Sequence, residues 1–164
     1  MGRTIPIPPR LAIPLLDGAT LESDPTLSEM WAGLVANATD PARKVEARRT
    51  FTQLLASLEP IDALVLMEIE RHGLANPDRK ADHDFSTDSE EAWRSQWPNL
   101  SSISASLRAD PHEVALALEN LERLGLAVDD IQAGGTPVPL SHPQATIQLT
   151  VTGKALLAAC RTAQ

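Results

Sequence analysis

Residues 100–160, LSSISASLRADPHEVALALENLERLGLAVDDIQAGGTPVPLSHPQATIQLTVTGKALLAAC, decide the fold. A long helix over 111–124 is written there with both of its ends. Asp110 is placed to cap it, Pro111 takes the first position, and Glu113 stands third, where its carboxylate reaches the cap amide. Val114, Leu118, Leu121 and Leu124 form one apolar stripe, and Gly125 supplies a left-handed stop. A short helix over about 101–108 precedes it, with Ser101 or Ser102 as cap after Pro98-Asn99. Two β-rich runs follow, 126–132 and 145–150, around the Gly- and Pro-rich AGGTPVPLSHP. A last helix over about 153–161 closes the segment. With an upstream helix over 60–72, this order predicts a winged helix-turn-helix whose small β-hairpin is the wing.

Upstream, Leu27, Met30, Trp31, Leu34, Val35 and Ala38 share one face of a helix over 25–38, opened by Asp24-Pro25 and ended by Asp40-Pro41. Ala47, Phe51, Leu54, Leu55 and Leu58 repeat that spacing over 42–58. Ile61, Leu64, Val65, Leu66, Met67 and Ile69 make 60–72 apolar around most of its circumference, which predicts a central helix closed by Gly73. Residues 5–16 alternate proline with Ile and Leu, and read as an extended arm laid over the surface. Residues 74–90 are polar and acidic without periodicity, which predicts a flexible insertion; Trp93 and Trp97 beyond it fit a short covering helix. The expected fold is mainly α, with N-terminal helices packed on a degenerate winged helix-turn-helix. Residues 1–59 form the arm and two-helix region and 60–164 the winged-helix-like region, in one compact domain of 164 residues.

Charge bounds the function. The chain carries 22 acidic and 14 basic residues, net −8, a field that repels phosphate backbones. The face of 111–124 opposite its stripe presents His112, Glu113, Leu116, Glu119, Asn120 and Arg123. A groove-reading helix needs Arg, Lys, Asn or Gln on base edges and cations on phosphates. No Lys or Arg occurs between Arg123 and Lys154, so the wing is without positive charge. This argues against nucleic acid and for a protein partner, with Leu116 either packed beneath the N-terminal helices or serving as the apolar centre of a contact made with Glu113, Glu119, Asn120 and Arg123. The chain's basic cluster, Arg43, Lys44, Arg48 and Arg49, reads as a solvated helix face or a patch for an acidic partner, RNA or another subunit. Together with Arg108 it would supply the phosphate contacts of the alternative reading, a transcriptional regulator. A homo-oligomeric scaffold is the third.

No catalytic constellation is legible. His72, His83, His112 and His142 lie in four segments without ligand spacing, so neither metal nor cofactor is expected. His83 beside Asp82 and Asp84 reads as a solvated loop, and Gly134-Gly135 as a turn rather than a phosphate cradle. The lone cysteine, Cys160, excludes an internal disulfide and reads as a buried, inert thiol. The prolines of IPIPPRLAIPLL interrupt any signal-like apolar run, and no run is long enough to span a bilayer; a cytoplasmic, non-enzymatic protein is expected.

Three stretches bear a family resemblance: Pro8-Pro9 with PLLDGATLESDPTLSEMWAGLVANATDP, then FTQLLASLEPIDALVLMEI, then Asn120, Leu121, Leu124, Gly125 and Leu126 with Leu149, Thr150 and Gly153. Over residues 8–160 the chain resembles the abortive infection alpha family of bacteria. The resemblance implies a part in phage resistance by abortive infection. Its motif residues are helix-packing residues and name no active site.

Overall fold

Pro9 can open a helix because its ring presets the helical φ and lacks only an amide that a first turn leaves unpaired. In the computed structural model α1 indeed runs Pro9–Leu21, where the sequence suggests an extended arm over 5–16. Pro14 sits inside α1 and forgoes one main-chain hydrogen bond. Tertiary burial offsets that loss. Leu15 is fully buried, and Gly18 lies so close to the Trp31 indole that a Cβ would overlap the ring. The structure describes residues 6–40, 49–75, 97–129, 138–143 and 145–161, without the side chains of 74 and 75. The insertion read at 74–90 falls outside the described residues from 76 onward, as do Ala47, Trp93, His83 with its flanking aspartates, and Gly134-Gly135.

Helix α2, Pro25–Thr39, begins as expected, with Asp24 accepting from the amides of Thr26 and Leu27 at 2.9 and 3.0 Å. It buries Leu27, Met30, Trp31 and Leu34, and also Gly33 and Asn37, which the apolar stripe did not include. Helix α3, Arg49–Leu55, is the described part of the helix expected over 42–58. It stops short of Leu58 because Pro60 disfavours helical geometry at Glu59, and the chain turns at Ala56-Ser57. Helix α4, Pro60–Ala75, starts with the Asp62 carboxylate accepting from the Glu59 amide at 2.8 Å. It buries Ala63, Val65, Leu66 and Ile69. Gly73 does not end it: the helix continues to Ala75, and Gly73 has no positive φ.

Helix α5, Leu100–Leu107, is capped by Asn99 rather than by Ser101 or Ser102. Ser102 stands at the third position instead and completes a reciprocal capping box with Asn99. Arg108, with φ 54°, ends it in the left-handed conformation. Helix α6, Pro111–Arg123, is capped by Asp110, which accepts from the His112 amide at 2.7 Å. Gly125, at φ 68°, closes α6: its amide donates to the Glu122 carbonyl and that of Leu126 to the Leu121 carbonyl. Strand β1, Ala127–Asp129, pairs antiparallel with β2, Ile147–Leu149, in the register Ala127↔Leu149, Val128↔Gln148, Asp129↔Ile147. β2 starts later than the run 145–150 suggests because the Thr146 amide donates to the Asp129 carboxylate at 2.8 Å instead of to a strand carbonyl. Helix α7 spans Val151–Cys160.

The described chain is thus mainly helical with a small two-stranded antiparallel sheet. It divides into two compact units, Met1–Ala63 with Lys154–Gln164, and Leu64–Gly153. In the first, α1, α2 and α3 pack on one another around Leu15, Trp31, Leu34 and Leu55. There α2 also meets the end of α7, since a Cβ on Gly33 would overlap the Cys160 carbonyl. In the second, α5 packs on α6 and α6 on β1; its core holds Ile103, Val114, Leu118, Leu121, Leu126 and Ile147.

Candidate functional site

The stripe of α6 turns Val114, Ala117, Leu118 and Leu121 inward, which sets what its other side presents. His112, Glu113, Leu116, Glu119 and Arg123 are exposed there and Asn120 is half-buried. Leu116 is 55% exposed. Glu113, Leu116 and Glu119 follow one another at three-residue intervals, so the leucine has a carboxylate one turn to either side.

Part of this face is tied down by its own side chains. The Ser141 hydroxyl donates to Glu119 Oε1 at 3.0 Å, and the Leu140 amide to Glu122 Oε2 at 3.3 Å. These bonds seat residues 140–141 against α6 and bury Leu140. The Arg123 guanidinium donates to Asn120 Oδ1. Arg123 is thereby held along its own helix. The second group named from sequence is less visible: Arg49 is exposed at the start of α3, while Arg43, Lys44 and Arg48 lie outside the described residues. Arg108 is exposed at the end of α5.

Sequence reading missed one ionic cluster. Glu68 is buried on α4 and accepts from Arg71 Nε at 2.8 Å and from the same guanidinium's Nη2; His72 Nε2 stands 3.2 Å from its Oε1. Arg71 Nη2 also donates to Ser106 on α5 at 3.3 Å. The Arg71 hydrogen bonds, helped by Ser106 and the charges of Arg71 and His72, outweigh burial and bring the Glu68 carboxyl down to about 2. A carboxylate held that low is a poor proton acceptor near neutrality, and the cluster works as a clasp between two helices. The signal was present in Glu68, Arg71 and His72 at i, i+3 and i+4.

A second clasp gathers residues that are far apart in sequence. Thr150 donates from its amide to the Leu126 carbonyl at 3.0 Å and from its hydroxyl to the Gly125 carbonyl at 2.6 Å. The same hydroxyl oxygen accepts from the Gly153 amide at 3.0 Å and so caps α7. Gly153 must be a glycine here, because a Cβ would overlap the Leu126 carbonyl oxygen. Leu121, Gly125, Leu126, Thr150 and Gly153 therefore form one structural knot at the foot of the hairpin. A family model described as abortive infection alpha matches residues 2–160.

The chain belongs to the abortive infection alpha family. Of the residues that carried its resemblance to abortive infection alpha proteins, Leu121, Gly125, Leu126, Thr150 and Gly153 belong to the Thr150 knot, and Asn120 belongs to the α6 face. No match was found among the curated proteins or among the solved structures. Among the described residues of this abortive infection alpha protein, no three His, Cys, Asp or Glu side chains are grouped to hold a metal ion. No single described helix is long and apolar enough to cross a membrane; only Arg49–Leu55 and Pro60–Gly73 taken together reach that length, with a bend of 114° between them.

Proposed function

We propose that this abortive infection alpha protein takes part in phage defence as a non-catalytic binding protein of the bacterial cytoplasm. In this reading residues 64–153 are a degenerate winged helix-turn-helix. Helices α4, α5 and α6 with the β1–β2 hairpin stand in the chain order of that motif, and α6 takes the place of the recognition helix. Its exposed face then meets a protein rather than DNA. The single observation behind this is the exposure of Leu116, 55%, between Glu113 and Glu119. An apolar side chain between two carboxylates suits a protein surface and repels a phosphate backbone.

The test is phage challenge of a bacterial culture expressing the chain, at low and high phage-to-cell ratios. The expected result is survival at low ratio with collapse at high ratio. Leu116→Asp, a surface change, should abolish this protection while the purified protein melts at an unchanged temperature. Protection that survives Leu116→Asp removes the α6 face from the proposal. Absence of protection by the wild-type chain across a broad phage panel overturns the defence reading. Duplex DNA binding that weakens steeply from low to moderate salt overturns the choice of partner.

A further inference from the structure

Helix α1 leaves three large apolar side chains outside the core: Ile13 is 63%, Leu16 52% and, at the helix end, Leu21 82% exposed. Ile13 is the centre of the outward face, opposite the buried Leu15. Leu16 lies to one side of it, and Arg10 and Asp17 lie together on the other, both exposed. Neither makes a salt bridge among the described residues. Both also stand against the helix dipole: Arg10 is in the first turn, where anions are favoured, and Asp17 is in the C-terminal half. The helix dipole therefore gives no local reason for either charge.

We propose that α1 is a self-complementary dimerisation surface whose partner is a second copy of this chain with its α1 antiparallel. Arg10 and Asp17 are seven residues apart, about 10.5 Å along the axis and close to two full turns, so they project in nearly the same direction. A twofold axis passing midway between them, at the level of Ile13, brings Arg10 of each copy opposite Asp17 of the other. The two Ile13 side chains then meet at the axis, and the two Leu16 side chains pack beside them. A parallel arrangement would oppose like charges, so the charge pattern selects the antiparallel one. A single helix pair buries less than the roughly 800 Å² per partner of a standard interface. Association on the order of tens of micromolar is expected, weak enough to respond to concentration.

Sedimentation equilibrium of the full chain from 5 to 300 µM, at about 150 mM salt to screen the net charge, reads this directly. The expected mass rises from 17.7 kDa toward twice that value. Ile13→Asp should abolish the rise. Arg10→Asp and Asp17→Arg should each weaken self-association at least tenfold, with a melting temperature unchanged or raised, since both substitutions suit the helix dipole. Mixing those two variants should restore a dimer, because each supplies the charges that the other lacks. A wild-type chain that stays monomeric at 300 µM overturns the proposal. So does a dimer indifferent to Ile13→Asp, or a mixture of the two charge variants that remains monomeric.

Discussion

Asn37 on α2 donates from its side-chain amide to the carbonyl of Ala159, 122 positions later, at 2.7 Å. The same nitrogen donates to the Arg161 carbonyl at 2.8 Å. Helix ends leave carbonyls unpaired, and a buried end needs a donor from elsewhere. Asn37 is that donor for α7. Four residues earlier on the same face, Gly33 has no side chain and lets the Cys160 carbonyl approach the α2 backbone. The glycine makes room for the helix end, and the asparagine satisfies it.

Asn37→Leu keeps the branching at the γ atom, with added volume, and removes both N–H donors. It should lower stability by about 1–3 kcal/mol, the penalty of buried carbonyls left without partners. Asn37→Asp should cost more at pH 7, since it sets a carboxylate against two carbonyl oxygens. Urea midpoints for the three proteins check the order.

Three glycines should respond to alanine in different ways. Gly33→Ala should destabilise by about 2–4 kcal/mol although alanine favours helix, because the neighbour that must move is backbone. Gly125→Ala meets no atom within 4 Å but strains a φ of 68°, for about 1 kcal/mol. Gly73→Ala also meets no atom within 4 Å, lies inside α4, and should stabilise by roughly 0.5–1 kcal/mol. Thermal unfolding of the set gives the signs.

Glu68 sets an acid limb of stability. Its carboxyl is lowered to about 2 in the folded chain, against 4.5 for an unperturbed glutamate. The contribution is therefore fully present above pH 4.5 and is lost as pH falls from there toward 2. With Arg71 largely in solvent at 60% exposure, about 1–2 kcal/mol is a fair size after screening. Glu68→Gln should lower stability at pH 7 and flatten the pH dependence between 4.5 and 2. Urea unfolding across that range measures both.

Cys160 is buried, and burial pushes its thiol up to about 12. At pH 8 the folded protein should therefore resist alkylation, whereas unfolding in urea should expose a thiol of ordinary reactivity. Mass spectrometry after timed iodoacetamide exposure distinguishes the two. Rapid labelling of the folded chain would contradict the burial.

The buried stripe of α6 was legible because one amphipathic helix with Asp110-Pro111 at its start and Gly125 at its end admits a single inside; for Leu116 the sequence left packing and exposure both open, and its side chain is exposed. Helix α2 was legible for the same reason; α4, apolar around most of its circumference, did not reveal its inside, and Leu64 and Met67 lie on its exposed side. Other readings failed where that logic is silent, among them the α5 cap, which is Asn99 and not Ser101 or Ser102. Pro8, Pro9 and Pro14 suggested an extended arm, and the burial of Leu15 with the Gly18–Trp31 contact made a helix instead. Gly73 looked like a stop and is an ordinary helical residue, because a glycine's freedom to turn left is not an obligation.

Local sequence determined the helical segments other than α1, where most of them begin, the buried stripes of α2 and α6, and that the hairpin would carry no positive charge. Those properties depend on side chains within a few residues of each other. Tertiary structure alone decided the close approaches and the polar ties: Gly33 against Cys160, Asn37 at the end of α7, Glu68 with Arg71 and Ser106, and Thr150 on Gly125 and Leu126. Each needs a backbone carbonyl or a charge to arrive from a distant part of the chain. Hydrophobic periodicity records which side of a helix is inside, and carries no mark of which particular atom will meet it there.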